Sequence, residues 1–227
     1  MHQIAPGVWL LDYVGLDLIN VYLVDDVLID ASTRFHTWFL QRQLRGRKLS
    51  LLALTHCHPD HQGAAWHFCR TRRIPLACHE ADVPAMEGIG PMLPKTFIVN
   101  WLGRLIAGPP QPVERVLRDG DHVGGFRVIH APGHTPGHVI YFRDADRVAI
   151  VGDVLANMSF VTFNPGLRPP PSILCTDPAQ NRRSIELLAS LNPALVLFGH
   201  GPPLRKVEQL HWFVSRMKKR EVAARSA

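Results

Sequence analysis

The sequence predicts an α/β fold, and three features carry that prediction. The first thirty residues alternate short β-branched and aromatic runs with turn residues. Residues 51–79 then read as strand, loop, helix, strand, the unit from which α/β sheets are assembled. After residue 113, short apolar runs recur between Gly, Asp and Pro, and a helical pattern closes the chain. At 227 residues and 46% hydrophobic, the chain suits one large domain over residues 1–227 better than two small ones.

Each element follows from its own pattern. "GVWLLDY", "INVYLVD" and "DVLID" read as strands, and Thr37 to Leu44 turns helical. "LSLLALT" is apolar without interruption and too short for a helix, so it suits a strand buried on both faces. "QGAAWHFCRTRR" has helix-forming residues and "IPLACH" reads as the next strand. Strands return in "RVLRDGDHV", "FRVIHAPG", "HVIYFRD" and "RVAIVGD". "DPAQNRRSIELLASL" opens with Asp177 at the N-cap, Pro178 in the first helical position and Gln180 three residues after the cap, which predicts a helix start. "ALVLFG" is a last strand and "VEQLHWFVSRMKKR" a closing helix. Two segments interrupt this order: an apolar insert at 84–112, and a Pro-rich connection at 155–176. Connections of that length within a compact domain usually serve as lids or binding loops, or are flexible.

Charge and cysteine content narrow the classes. Lys and Arg outnumber Asp and Glu by 25 to 19, with part of the excess in a C-terminal cluster that a solvated helix face explains. No aromatic-interleaved basic stripe points to nucleic acid, and no apolar run approaches the length of about 20 residues that spans a bilayer. The expected partner is a small-molecule substrate, with no nucleic acid and no membrane. The start "MHQIAPGVWLLDY" lacks the pattern of a secretory signal, and the four cysteines lack CxxC spacing, so a cytoplasmic location is expected.

The chemistry concentrates in "LTHCHPDHQG", which sets His56, His58, Asp60 and His61 at the end of the "LSLLALT" run. Open α/β sheets place ligands at such strand ends. Three further apolar runs end in the same way: "APGHTPGH" delivers His134, "VGDV" Asp153 and "FGHG" His200, each beside glycine. Neutral imidazoles and carboxylates are ligands for zinc and other first-row metals. Seven such groups suffice for two metals, one set being His56, His58 and His134, the other Asp60, His61 and His200, with Asp153 between them.

The motifs "HCHPDH", "GHTPGH", "GD" and "GHG", in this order, resemble those of the metallo-β-lactamase-fold metallohydrolase superfamily, from "NVYLVDDVLIDAS" to "FGHG". The resemblance implies a four-layer αββα sandwich of two mixed β-sheets flanked by helices, with metals at one edge. It assigns metal-ligand roles to the same seven residues, and it implies two Zn2+ per chain, with Fe or Mn as alternatives. The implied activity is hydrolysis of a small ester, thioester or lactone by a metal-bridging hydroxide, with Asp60 orienting the nucleophile. Two departures stand out. "DAS" at Asp30 to Ser32 replaces the Asp-x-Gly of many relatives, and His58 stands where flavodiiron relatives commonly carry Glu. The chain also ends soon after His200, without the additional helical domain of glyoxalase II relatives, which weakens a glutathione thioester as substrate.

Several readings stay open at this stage. A mononuclear iron persulfide dioxygenase shares much of the pattern, a β-lactam hydrolase shares the fold, and a metal-binding scaffold without turnover is a third class. Cys57 is a redox or metal-binding thiol or, as buried free cysteines usually are, a packed side chain. Asp30 orients a ligand or only ends a strand, and His138 has the same two readings. His67, His79, His122, His130 and His211 take structural readings. The apolar residues of Phe97 to Ile106 serve as a substrate wall, a homodimer interface or a cap on the core.

Overall fold

The computed structural model describes residues 1–11 and 17–225. A seven-stranded sheet runs in sequence order. Its strands are β1 (His2–Ala5), β2 (Val8–Leu11), β3 (Val21–Val24), β4 (Val27–Ile29), β5 (Leu51–Ala53), β6 (Leu76–His79) and β7 (Arg115–Leu117). The first four pair antiparallel, and β4 through β7 pair in parallel. A five-stranded sheet is built from β8 (His122–Val123), β9 (Phe126–His130), β10 (Val139–Arg143), β11 (Val148–Ile150) and β14 (Leu195–Leu197), with β14 parallel to β11 at one edge. Both sheets are therefore mixed, as expected.

The apolar pattern dictates the layering. In β5, Leu51 and Ala53 face a core shared with Val128, Tyr141, Ile150 and Leu197 of the second sheet, while Leu52 packs outward against helices. That two-sided burial is why the run reads as uninterrupted apolar residues. The outer face of the first sheet is covered by α1 (Thr37–Gln43), α2 (Pro59–Gln62), α3 (Ala65–Arg72) and α4 (Val83–Met86), and α5 (Phe97–Ile106) lies against α2. The second sheet is covered by α6 (Pro178–Ser190) and α7 (Glu208–Arg225). The result is helix, sheet, sheet, helix, the four-layer sandwich.

Four local features depart from the sequence reading. "RVLRDGDHV", read as one strand, is divided into β7 and β8, which belong to different sheets and are joined through the turn around Asp119 and Gly120. Strand β1 has only one buried residue, Ile4, among its four, too weak a signal to announce a strand. The predicted "GVWLLDY" strand ends at Leu11, and Asp12 and Tyr13 lie outside the described residues. The Pro-rich segment 155–176 is not irregular throughout: β12 (Ala156–Met158) and β13 (Pro165–Arg168) form an antiparallel ribbon, whose turn includes Phe163 at φ +57°. The "DAS" turn keeps the shape that glycine would favour, with Asp30 at φ +62° and Ser32 at φ +54°. Ser32 Oγ bonds His36 Nδ1 across 2.6 Å, a local contact that helps hold the left-handed residue.

Asp177 caps α6 by accepting from the Gln180 backbone N–H at 2.8 Å, as its motif predicts. No described helix is long and apolar enough to cross a membrane.

Candidate metal centre

The loops that follow β5, β9, β11 and β14 leave the two sheets at one edge, and they bring all seven sequence-predicted residues together. His56, His58 and His134 form one group whose ligand-type atoms lie within 4.8 Å of one another, and Asp60, His61 and His200 form another. A third group, His56, His61 and Asp153, joins the two. Asp153 sits between them: one oxygen is 3.6 Å from His61 Nε2, and the other is 3.6 Å from His134 Nε2 and 3.2 Å from His200 Nε2.

Surrounding groups fix which imidazole nitrogen faces inward. His61 Nδ1 donates to Asp30 Oδ2 at 2.9 Å, His58 Nε2 to the Leu93 carbonyl at 2.7 Å, and His200 Nδ1 to the Leu18 carbonyl. The nitrogens left over, His58 Nδ1 and the Nε2 atoms of His61 and His200, are available to the site. Asp30 therefore orients a ligand-type histidine rather than merely ending a strand, and it also accepts from the Thr55 backbone N–H and hydroxyl, each at 2.8 Å. His138 accepts the Asp153 backbone N–H at Nε2, 3.0 Å away, and its ring stacks on that of His56. Cys57 points away from the histidines into the helix-side core, with Sγ 3.8 Å from Met86 Sδ. Its thiol is pushed well above the ordinary range by burial, with Asp82 and Cys78 adding to the shift.

Asp82 belongs to the centre although its sequence context gave no sign of it. It is 3% exposed, and its carboxylate accepts from the Cys57 N–H at 2.9 Å, the Thr135 hydroxyl at 2.8 Å and the Gly137 N–H at 2.7 Å. One side chain thus ties the loop carrying His56 and His58 to the loop carrying His134. Elsewhere in the centre, two glycines permit close packing. A Cβ on Gly152 (φ +47°) would lie 2.6 Å from Thr55 Oγ1 and 2.8 Å from His138 Nε2, and one on Gly199 would collide with Asp153.

Electrostatics divide the cluster. Burial, then neighbouring imidazoles, hold His56 and His134 well below the ordinary histidine range, so both are neutral with lone pairs free. Burial likewise lowers His58 and brings His138 to about 3. Around Asp60 and Asp153 the sign reverses. Burial opposes charge on His61 and His200, but the carboxylates outweigh it, raising His61 well above its ordinary value and His200 to about 10. For both aspartates burial is outweighed by His61 and His200, which hold the carboxylates below their usual range.

This donor set fits divalent cations. His56 Nε2, His61 Nε2, His134 Nε2 and Asp153 Oδ1 are buried without hydrogen-bond partners, and all four converge on the same space. A buried polar atom left without a partner costs about 1–3 kcal/mol, and four in one place suit a common cationic occupant. Imidazole nitrogen with carboxylate oxygen is the chemistry of zinc, iron and manganese sites alike.

The cluster forms the floor of a cleft of about 250 Å3. Its walls come from α5 (Val99, Leu102, Ile106), the β12–β13 ribbon (Met158, Phe160, Phe163) and Leu18, Ile19 and Leu174. One face of α5 is thus a wall of the cleft, and the opposite side chains Phe97, Trp101 and Leu105 are exposed. Both segments that interrupt the regular order of elements meet over the same histidines.

Comparison with known proteins agrees with this architecture. Residues 14–200 match the metallo-beta-lactamase superfamily. The probable metallo-hydrolase YybB of Bacillus subtilis (strain 168) is 28% identical over 193 residues, covering 85% of this chain and 80% of the relative. Hydroxyacylglutathione hydrolase GloC of Haemophilus influenzae is 30% identical over 116 residues, 47% of this chain and 50% of that protein. The crystal structure of TTHA1623 in a di-iron-bound form superposes with a TM-score of 0.62 at 31% identity, covering 82% of this chain and 89% of that one.

Proposed function

This chain belongs to the metallo-β-lactamase superfamily, and on that premise we propose that it is a dinuclear metal-dependent hydrolase, zinc being the metal, that cleaves a small ester, thioester or lactone. The observation that carries the reading is the convergence of four unpartnered buried ligand atoms, three from the two triads and one from Asp153 between them, at the floor of an apolar cleft. His56, His58 and His134 would hold one cation, Asp60, His61 and His200 the other, and Asp153 would contact both. Bound divalent cations lower the pKa of a coordinated water and polarise a carbonyl oxygen.

The protein's own groups supply the rest. Asp60 is the most accessible of the seven candidates, its side chain 27% exposed and lining the cleft. Its carboxylate lies 3.3 Å from His200 Nε2 and faces the cleft, where it would accept a hydrogen bond from an attacking water, take the proton and return it to the leaving group. The walls from α5 and the β12–β13 ribbon exclude bulk water and align the acyl group, Asp30 holds the His61 ring, and Asp82 holds the loops that carry His56, His58 and His134.

GloC, by its name, hydrolyses hydroxyacylglutathione, which supports acyl transfer to water over the oxidative alternative. The test combines metal analysis of protein purified without chelators with hydrolysis of 4-nitrophenyl esters, thioesters and lactones before and after chelation. Chelator-sensitive hydrolysis that zinc restores is the expected result. Oxygen uptake with persulfides and a single iron per chain would replace this reading with the dioxygenase, and chelator-sensitive hydrolysis confined to β-lactams would replace it with the β-lactamase.

A further inference from the structure

The cleft over the histidine cluster has an unusual charge distribution. Apart from the imidazoles and the two carboxylates on its floor, every described residue lining it is apolar. No lysine, arginine, serine, threonine, asparagine, glutamine or tyrosine lines it among the described residues. Residues 12–16 and 226–227, outside the described set, contain no lysine or arginine either. Arg104, carried by the same helix α5 as the cleft wall, lines a separate cavity with Gln62 and Asn100, and Val99 is common to both linings. The chain has a net charge of +6, so cations are abundant elsewhere and absent from this wall.

From this we infer that the cleft selects an uncharged, aliphatic or aromatic acyl group of modest size, and rejects acyl groups that carry a second anion. The inference rests on the hydrolase reading and narrows it to a substrate class. A carboxylate remote from the scissile carbonyl would lie against Leu102, Ile106, Phe160 and Leu174, where the described residues supply no counter-ion and no side-chain hydrogen-bond donor, and burying a charge in that state is strongly unfavourable. Neutral lactones and simple lipophilic esters or thioesters meet these demands, whereas dicarboxylic half-esters do not.

Size follows from volume. An apolar cavity of about 150 Å3 accepts benzene, so about 250 Å3 takes a group somewhat larger, such as a hexanoyl or phenylacetyl chain. Each methylene buried against the wall should raise kcat/KM by up to about fourfold from acetyl to hexanoyl, the rate equivalent of about 0.8 kcal/mol per CH2. Beyond that length the gain should stop.

The test uses the metal-loaded full chain and a matched pair, 4-nitrophenyl hexanoate and the mono-4-nitrophenyl ester of hexanedioic acid. They differ only in the terminal carboxylate. The neutral ester should be preferred by about 100-fold or more in kcat/KM. Leu102→Lys, and separately Ile106→Lys, should raise the relative rate on the diacid ester at least about tenfold while lowering that on the neutral one, the signature of a wall contact rather than of general damage. Two variants on one helix guard against a single folding failure, and their metal content reports an intact floor. Comparable rates on the two esters in the unsubstituted protein would overturn the inference and leave the hydrolase reading intact. Cleavage of neither ester, with lactones and thioesters equally untouched, would overturn the hydrolase reading and the inference with it.

Discussion

Replacing Asp82 separates a structural role from a role in the metal centre. The carboxylate receives three donors, two of them backbone N–H groups, and is almost fully enclosed. Asp82→Ala would orphan all three. At about 1–3 kcal/mol for each buried unsatisfied group the loss approaches the 5–15 kcal/mol that holds a typical domain folded, which makes alanine a poor probe. Asp82→Asn is better, since it keeps the volume and one acceptor oxygen. That oxygen can still serve Cys57 N–H and Thr135 Oγ1 together, while the new amide NH2 confronts Gly137 N–H. One lost bond with an unsatisfied donor predicts destabilisation of about 1–3 kcal/mol. The loops of His56, His58 and His134 should loosen, whereas Asp60, His61 and His200, held through Asp30 and Leu18, should not. Urea unfolding gives the stability change, and metal titration with cobalt spectra reads the two sites. The expected outcome is a folded variant with one of its two metal sites weakened at least about tenfold, within the range seen when groups that orient metal ligands are removed. Unchanged stability and two unchanged sites would refute the reasoning.

Other predictions follow from the same geometry. Asp153→Ala and His134→Ala, each measured by elemental analysis and circular dichroism, should reduce metal occupancy and abolish hydrolysis in a chain that remains folded; full activity with normal metal content would contradict the assignment. Tyr141→Phe removes a buried hydroxyl that donates to the Leu54 carbonyl at 2.7 Å, at the end of β5, and should cost about 1–2 kcal/mol in urea unfolding. All four cysteines are buried, and burial pushes Cys69 and Cys175 up to about 12, so at pH 8 each stays a protonated, unreactive thiol. Thiol reagents should therefore label the native protein slowly and all four sites after unfolding, with rapid native labelling as the contrary result.

The seven clustered residues were legible because each stands where an apolar run ends, often beside glycine, and strand ends converge at one sheet edge wherever parallel strands are present. The fold was legible for the same reason, since "LSLLALT" is buried on both faces and "DPAQ" caps a helix. Asp82 was not, because its partners lie 25, 53 and 55 residues away and its neighbours "CHEADVP" carry no periodicity that marks a buried carboxylate. The carbonyls of Leu93 and Leu18, which orient His58 and His200, are backbone atoms, and no side-chain pattern encodes them. In α5 the sequence showed helical spacing of large apolar residues but not which face turns inward. Only the packing of the helix beside α2 sets Val99, Leu102 and Ile106 over the histidines and leaves Trp101 exposed. The ribbon of β12 and β13 was hidden by prolines that read as loop, although Pro165 sits at a strand end, where its missing N–H is tolerated.

The proposed function depends on whether the seven side chains hold two divalent cations. Elemental analysis of protein purified without chelators or added metal, followed by the same measurement after dialysis against a chelator and reloading with zinc, tests it most directly. Close to two zinc ions per chain are expected in the isolated and reloaded protein, with hydrolysis that falls and returns in step with the metal. A chain that holds less than one equivalent of any metal after reloading, or that hydrolyses its esters undiminished when stripped, would contradict the proposed function.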